Sequence, residues 1–149
     1  METKLVQDAC LLLQGEISPE SGIRLELRQE DILPMVRVLD QYELTPVRKQ
    51  RHLSIYIAIK FALQSHAASD GCTGEMLTRK VLNGDYLYSL YVQLCLKWEE
   101  FDLLTHLAPI VKRIQIKHVE GIPKDMLLIE GWEWFLQLEG NCARAIQAI

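Results

Sequence analysis

Metal-dependent chemistry on a helix needs carboxylates or imidazoles three or four residues apart, so that they converge on one ion. The sequence contains no DDxxD and no HExxH. Its densest acidic cluster is Glu99-Glu100 followed by Asp102, which reads as a solvated helix junction with Asp102 as the cap. The histidines His52, His66, His106 and His118 stand at no metal-ligand spacing from a cysteine or carboxylate and read as surface or core residues. No serine sits in a GxSxG turn, and no glycine-rich loop has a phosphate-binding pattern. The residues therefore offer no self-sufficient active site: the expected catalytic, cofactor and metal-ligand sets of this chain are empty.

Two features stand out. Arg48, Lys49 and Arg51 cluster at the head of a helix, where three cations and the free backbone amides of a helix N-terminus suit a diphosphate. The plainer reading of the same residues is a solvated face. The second feature is Asp85, beside Gly84 and among Tyr86, Tyr88 and Tyr91. An acid in an apolar helix needs a partner, and a partner that fixes helix register is favoured over substrate. Gly84 inside a helix costs about 1 kcal/mol relative to alanine, which implies close approach by another group.

The elements that must position these residues follow from periodicity. Leu5, Ala9, Leu12 and Leu13 give a first amphipathic helix over 2–14, stopped by Gly15 and Ser18-Pro19. Ile23, Leu25 and Leu27 alternate with Arg24, Glu26 and Arg28 at strand period. A single short strand has nothing to pair with, so the segment reads as an extended connector or a poorly patterned helix. Asp31 is the expected cap of a helix to Tyr42, with Pro34 in its first turn.

Thr45-Pro46 opens the next helix, which is apolar almost all round from Leu53 to Leu63 and so is buried by several neighbours. A loop at AASDGCTG leads to a helix opened by Thr73 and running over 75–98. Its expected apolar face is Val81, Tyr88, Tyr91, Val92 and Cys95, widened by Leu77, Leu87, Leu90 and Leu94. The following helix carries Leu103, Leu107, Ile110, Val111 and Ile114 on one face, with a kink or a break at Pro109 and an end at Gly121. Pro123 opens a last helix rich in large apolar groups, broken at Gly140-Asn141. The expectation is an all-α, single-domain bundle of five to seven helices spanning 1–149.

Composition agrees. With 149 residues, 49% apolar and 24% charged, the chain is one domain with a real core. Net charge is −4 and there is no long basic run, which argues against nucleic-acid binding. Cys10, Cys72, Cys95 and Cys142 form no CxxC pair and are expected as free thiols. The most apolar run, Leu53 to Leu63, is far short of the roughly 20 residues that span a bilayer. The N-terminus has acids and lacks the basic start of a signal peptide. The expected location is cytoplasmic, at most peripheral to a membrane.

The string KVLNGDYLYSLYVQLCLKWEEFDLLTHLAPIVKRI resembles a segment of long-chain trans-prenyl diphosphate synthases, which carry a helix with an L-x-G-D-Y-L core followed by a second amphipathic helix. Upstream, IAIKFALQSHAASDG resembles the helix that in catalytic members runs into the first Asp-rich motif. Here His66 is followed by Ala67, Ala68, Ser69 and Asp70, without paired aspartates, and no second Asp-rich motif follows. The pattern is most similar to the small component of heptaprenyl and hexaprenyl diphosphate synthases: Ala62, Leu63 and His66 fit "A-L-x-x-H", and Val81, Leu82, Gly84, Asp85, Tyr86, Leu90 and Tyr91 fit "V-L-x-G-D-Y-x-x-S/G-L-Y". The likeness covers residues 56–119.

It implies part of the isoprenoid synthase fold and a partner subunit bearing both Asp-rich motifs and the magnesium. Together the two would condense isopentenyl diphosphate with an allylic diphosphate toward menaquinone side chains. Gly84, Asp85, Tyr88 and Tyr91 would then serve as scaffold, partner contact or wall of the channel for the prenyl diphosphate product. This chain is much shorter than the heptaprenyl component. Two other readings stand beside this one: a non-enzymatic helical interaction module, self-associating through the aromatic C-terminal helix, and a stand-alone binder of prenyl lipids.

Overall fold

A helix that is apolar on every side can be stable in water only if other elements surround it. The computed structural model, which describes residues 2–26 and 28–148, gives the Leu53–Leu63 segment that position. It has six α-helices: α1 (Glu2–Glu16), α2 (Gln29–Asp40), α3 (Pro46–Ala67), α4 (Gly74–Lys97), α5 (Phe101–Val119) and α6 (Met126–Gln147), with one 3₁₀ turn at Pro19–Ser21. No strand occurs among the described residues. Every residue of α3 from His52 to Ile59 is buried. The other five helices ring it: α1 packs on α2, α2 on α6, α6 on α5 and α5 on α4. The ring closes between α4 and the N-terminal region, where Lys97 pairs with Glu16 at 2.6 Å and the Ser18 amide donates to the Tyr86 hydroxyl at 2.8 Å. The fold is thus all-α with one shared core. Among the described residues, no helix is long and apolar enough to cross a membrane.

Local chemistry explains several boundaries. Thr45 caps α3 by accepting from the Arg48 amide at 3.2 Å, and Pro46 follows at the first helical position. Residues 22–26 belong to neither helix nor strand, Gly22 taking a left-handed conformation (φ 68°), and Ile23 and Leu25 pack on the core. The alternation expected through Leu27 ends outside the described residues.

Other boundaries differ from the sequence expectation. Gly15 does not stop α1, which runs one residue further. Asp31 does not cap α2: it is the third helical residue, its carbonyl accepts from the Tyr56 hydroxyl at 3.0 Å, and its carboxylate accepts from Gln64. Pro34 therefore lies beyond the first turn. Thr73 does stand at the N-cap of α4, in extended conformation, although its side chain makes no cap bond; Asp102 is not a cap, because α5 begins at Phe101, after Glu100. The helix α5 is continuous through Pro109. Thr105 and Pro109 are both exposed, so the carbonyl that the proline leaves free can be met by water. Pro123 lies in the preceding loop, and α6 continues through Gly140-Asn141, where AlaArgAlaIleGln supplies helix formers beyond the glycine. On α4 the buried face is Gly84, Leu87, Leu90, Tyr91, Leu94 and Cys95, and Val81 lies outside it.

Candidate functional site

Helix α3 packs more extensively on α4 than on any other helix, and the Gly84-Asp85 pair sits at that seam. A Cβ at Gly84 would lie 2.2 Å from Cδ2 of His66. Glycine is therefore required because the His66 ring occupies the space a side chain would take. The same ring is bonded: Nε2 lies 2.9 Å from Oδ1 of Asp85 and 3.3 Å from the Val81 carbonyl. The expected partner of Asp85 is thus an imidazole from the neighbouring helix. Asp85 itself is solvent-exposed, so the pair is a surface clasp over a buried notch. Because Nε2 faces acceptors, it carries the proton.

Next to the clasp the aromatic residues turn inward. Tyr88 packs against His66 with ring centroids 5.1 Å apart and meets Tyr91 edge-on at 6.5 Å. Tyr91 belongs to the core, and burial pushes its phenol up to about 12. Burial likewise raises Tyr88, against the opposing pull of a hydrogen bond with Gln115, and its hydroxyl is inaccessible to solvent. Tyr88 also lines a cleft of about 540 Å³ between the end of α3, α4 and the end of α5. On the far wall His118 holds Asp125 at 2.7 Å through its own Nε2.

The three cations at the head of α3 do not converge. Arg48 forms paired bonds to two carboxylates: Nε and Nη2 to Glu100 at 2.9 and 3.0 Å, and Nη1 and Nη2 to Glu139, the latter at 2.7 Å. Lys49 pairs with Asp40 at 3.1 Å. Arg51 lies over the Trp98 ring, 5.6 Å from its centroid. A diphosphate at this end would have to displace Glu100 and Glu139 from Arg48, so the geometry does not gather these residues into an anion site.

What sequence reasoning missed is the role of Glu100. It was expected in a solvated junction, yet it is only 8% exposed. The turn after α4 delivers it: Glu99 takes a left-handed conformation (φ 57°), the Glu99 amide donates to the Leu96 carbonyl, and the Glu100 amide donates to the Cys95 carbonyl at 2.8 Å. This closes the helix end in the manner glycine usually permits. Inside, Glu100 faces Arg48 and, at 3.1 Å, Nε2 of His52. Burial alone would raise the Glu100 carboxyl, but His52 and Arg48 outweigh it and hold it down at about 2. His52 in turn accepts from the Trp132 indole through Nδ1 at 3.0 Å, which turns its Nε2 toward Glu100. The relay Trp132–His52–Glu100–Arg48–Glu139 ties α3, the start of α5 and α6. Its inner end is buried, while Arg48 and Glu139 at its outer end are partly exposed and paired with each other.

Among the described residues, no three His, Cys, Asp or Glu side chains converge as a metal site, and the cysteines are free thiols. No family model, curated protein or solved structure matches the chain.

Proposed function

We propose that the chain is the small, non-catalytic subunit of a two-component long-chain trans-prenyl diphosphate synthase. Its catalytic partner would carry both Asp-rich motifs, the magnesium and the diphosphates, and the small subunit would help set product length. The observation that carries this reading is the α3–α4 seam. The two separate strings of the resemblance, ending in His66 on α3 and centred on Gly84-Asp85 on α4, meet side chain to side chain. Residues that resemble a catalytic enzyme's helix pair are kept together as a contact. The loop that would bear paired aspartates holds Ala67, Ala68 and Ser69 instead. On this reading Asp85 holds the register of the scaffold, and the chain alone makes no prenyl diphosphate. The test is to combine the purified chain with a catalytic subunit, magnesium, isopentenyl diphosphate and an allylic diphosphate. Long-chain product is expected from the mixture and from neither protein alone.

A second reading has its own observation. Met126, Trp134 and Leu138 are exposed on α6 at multiples of four residues, so they share one stripe of the helix. This suits self-association of an interaction module. A monodisperse dimer that Trp134→Glu converts to monomer, with no affinity for a prenyltransferase, would establish that reading instead.

A further inference from the structure

We propose that the turn between α5 and α6 docks on an anionic lipid surface, with Val119, Ile122 and Met126 entering the headgroup layer and Lys112, Arg113 and Lys124 meeting its negative charge. The proposal concerns the isolated chain and does not rest on the two-subunit reading.

The apolar groups are unusually open. Ile116 is 48% exposed, Val119 90%, Ile122 47% and Met126 72%. They occupy the last turn of α5, the connecting loop and the first residue of α6, so they gather at one extremity of the bundle. Val81, on α4, lines the same cleft as Val119 and Pro123 and extends this apolar tip. Single exposed aliphatic residues need no explanation, but a group of them on one tip marks a contact surface.

The charges around the tip select the surface. Residues 112–126 hold four cations, Lys112, Arg113, Lys117 and Lys124, against two acids, Glu120 and Asp125. That is a net +2 in a chain of net −4, so the other residues together carry −6. Both acids are engaged locally, Glu120 by Lys117 at 3.1 Å and Asp125 by His118 at 2.7 Å. Lys112, Arg113 and Lys124 are exposed. Across the cleft, Asp70 is the facing acid, and Lys80 reaches the same loop through the Ala68 carbonyl. An anionic surface attracts this end and repels the remainder, which gives the docked chain one orientation. A protein partner fits less well: a stable protein interface takes about 20–30 residues a side, whereas this tip offers only a few side chains. A lipid layer needs no complementary shape, because apolar side chains displace its headgroups.

The test is flotation of the full chain with vesicles of phosphatidylcholine alone, or of phosphatidylcholine and phosphatidylserine in equal parts. Binding is expected with the mixed vesicles, at least about tenfold weaker binding with phosphatidylcholine alone, and release from the mixed vesicles by high salt. The double variant Val119→Ser, Ile122→Ser changes exposed residues, so it should fold as the parent does and bind at least about tenfold more weakly. Lys112→Gln and Lys124→Gln should each weaken binding about fivefold. Trp134→Ser, on the outer face of α6, should leave binding unchanged. Three results would overturn the proposal: no binding to the mixed vesicles, binding that survives the double variant, or self-association in place of vesicle binding as the property the double variant removes. Loss of this proposal with successful two-subunit synthesis would leave the functional reading intact, and the converse holds equally.

Discussion

Replacing Glu100 by glutamine tests the internal relay, because the whole arrangement depends on a buried carboxylate staying ionised. In the fold its carboxyl is held at about 2, against 4.5 in the unfolded chain. A depressed carboxyl stabilises the fold at pH values above its unfolded pKa, and that contribution is lost as pH falls through the folded value. The loss therefore runs from about pH 4.5 down to about pH 2, and the contribution at neutral pH is about 3 kcal/mol. Breaking a buried ion pair by removing one partner costs a similar amount, about 3–5 kcal/mol. Here Arg48 keeps Glu139, so the lower figure applies. Glu100→Gln should lower stability by about 3 kcal/mol at pH 7 and by under about 1 kcal/mol near pH 2. Urea unfolding followed by tryptophan fluorescence, at pH values from 7 to 2.5, gives both curves. Equal stability of variant and parent at pH 7, or the same acid slope in both, would refute the reasoning.

Three substitutions probe other contacts. Gly84→Ala places a methyl in the His66 ring, so the ring must leave its notch; despite alanine's better helix propensity, a net loss of about 1–2 kcal/mol is expected by thermal unfolding. Adding His66→Ala to Gly84→Ala should recover most of that loss, and failure to do so would deny the steric cause. Glu99→Gly relieves a left-handed residue whose exposed side chain makes no bond, and should raise stability by about 1 kcal/mol in urea titration. Tyr88→Phe removes an inaccessible hydroxyl in contact with Gln115 and should lower stability by about 1 kcal/mol in the same experiment.

The central helix was readable because burial on all sides leaves an unbroken apolar run, and because Thr45-Pro46 carries its own start signal. The need for close approach at Gly84 was readable as a propensity cost in a helix, although not which side chain would fill the space. Glu100 was hidden for a definite reason. It stands beside Glu99 and near Asp102, and only the turn geometry separates an exposed acid from a buried one. That turn is made by a glutamate where glycine would be expected, so no local signal marks it. The basic cluster failed for the complementary reason: the carboxylates that occupy Arg48 lie 52 and 91 residues away in sequence, beyond any spacing rule. Prolines and glycines misled at Gly15, Pro109, Pro123 and Gly140 because a helix end depends on packing and solvent access as well as propensity. At Pro109, where both the proline and Thr105 are exposed, a break in the hydrogen-bond ladder is tolerated.

The proposed function stands or falls on partnership with a catalytic subunit. Its most direct measurement is a titration of this chain into a fixed amount of a prenyl diphosphate synthase subunit bearing both Asp-rich motifs, with product length read at each step. Long-chain product is expected to rise from near zero to a plateau at a fixed stoichiometry, as a complex of the two proteins forms. Long-chain synthesis by the catalytic subunit alone, unchanged by adding this chain, would contradict it.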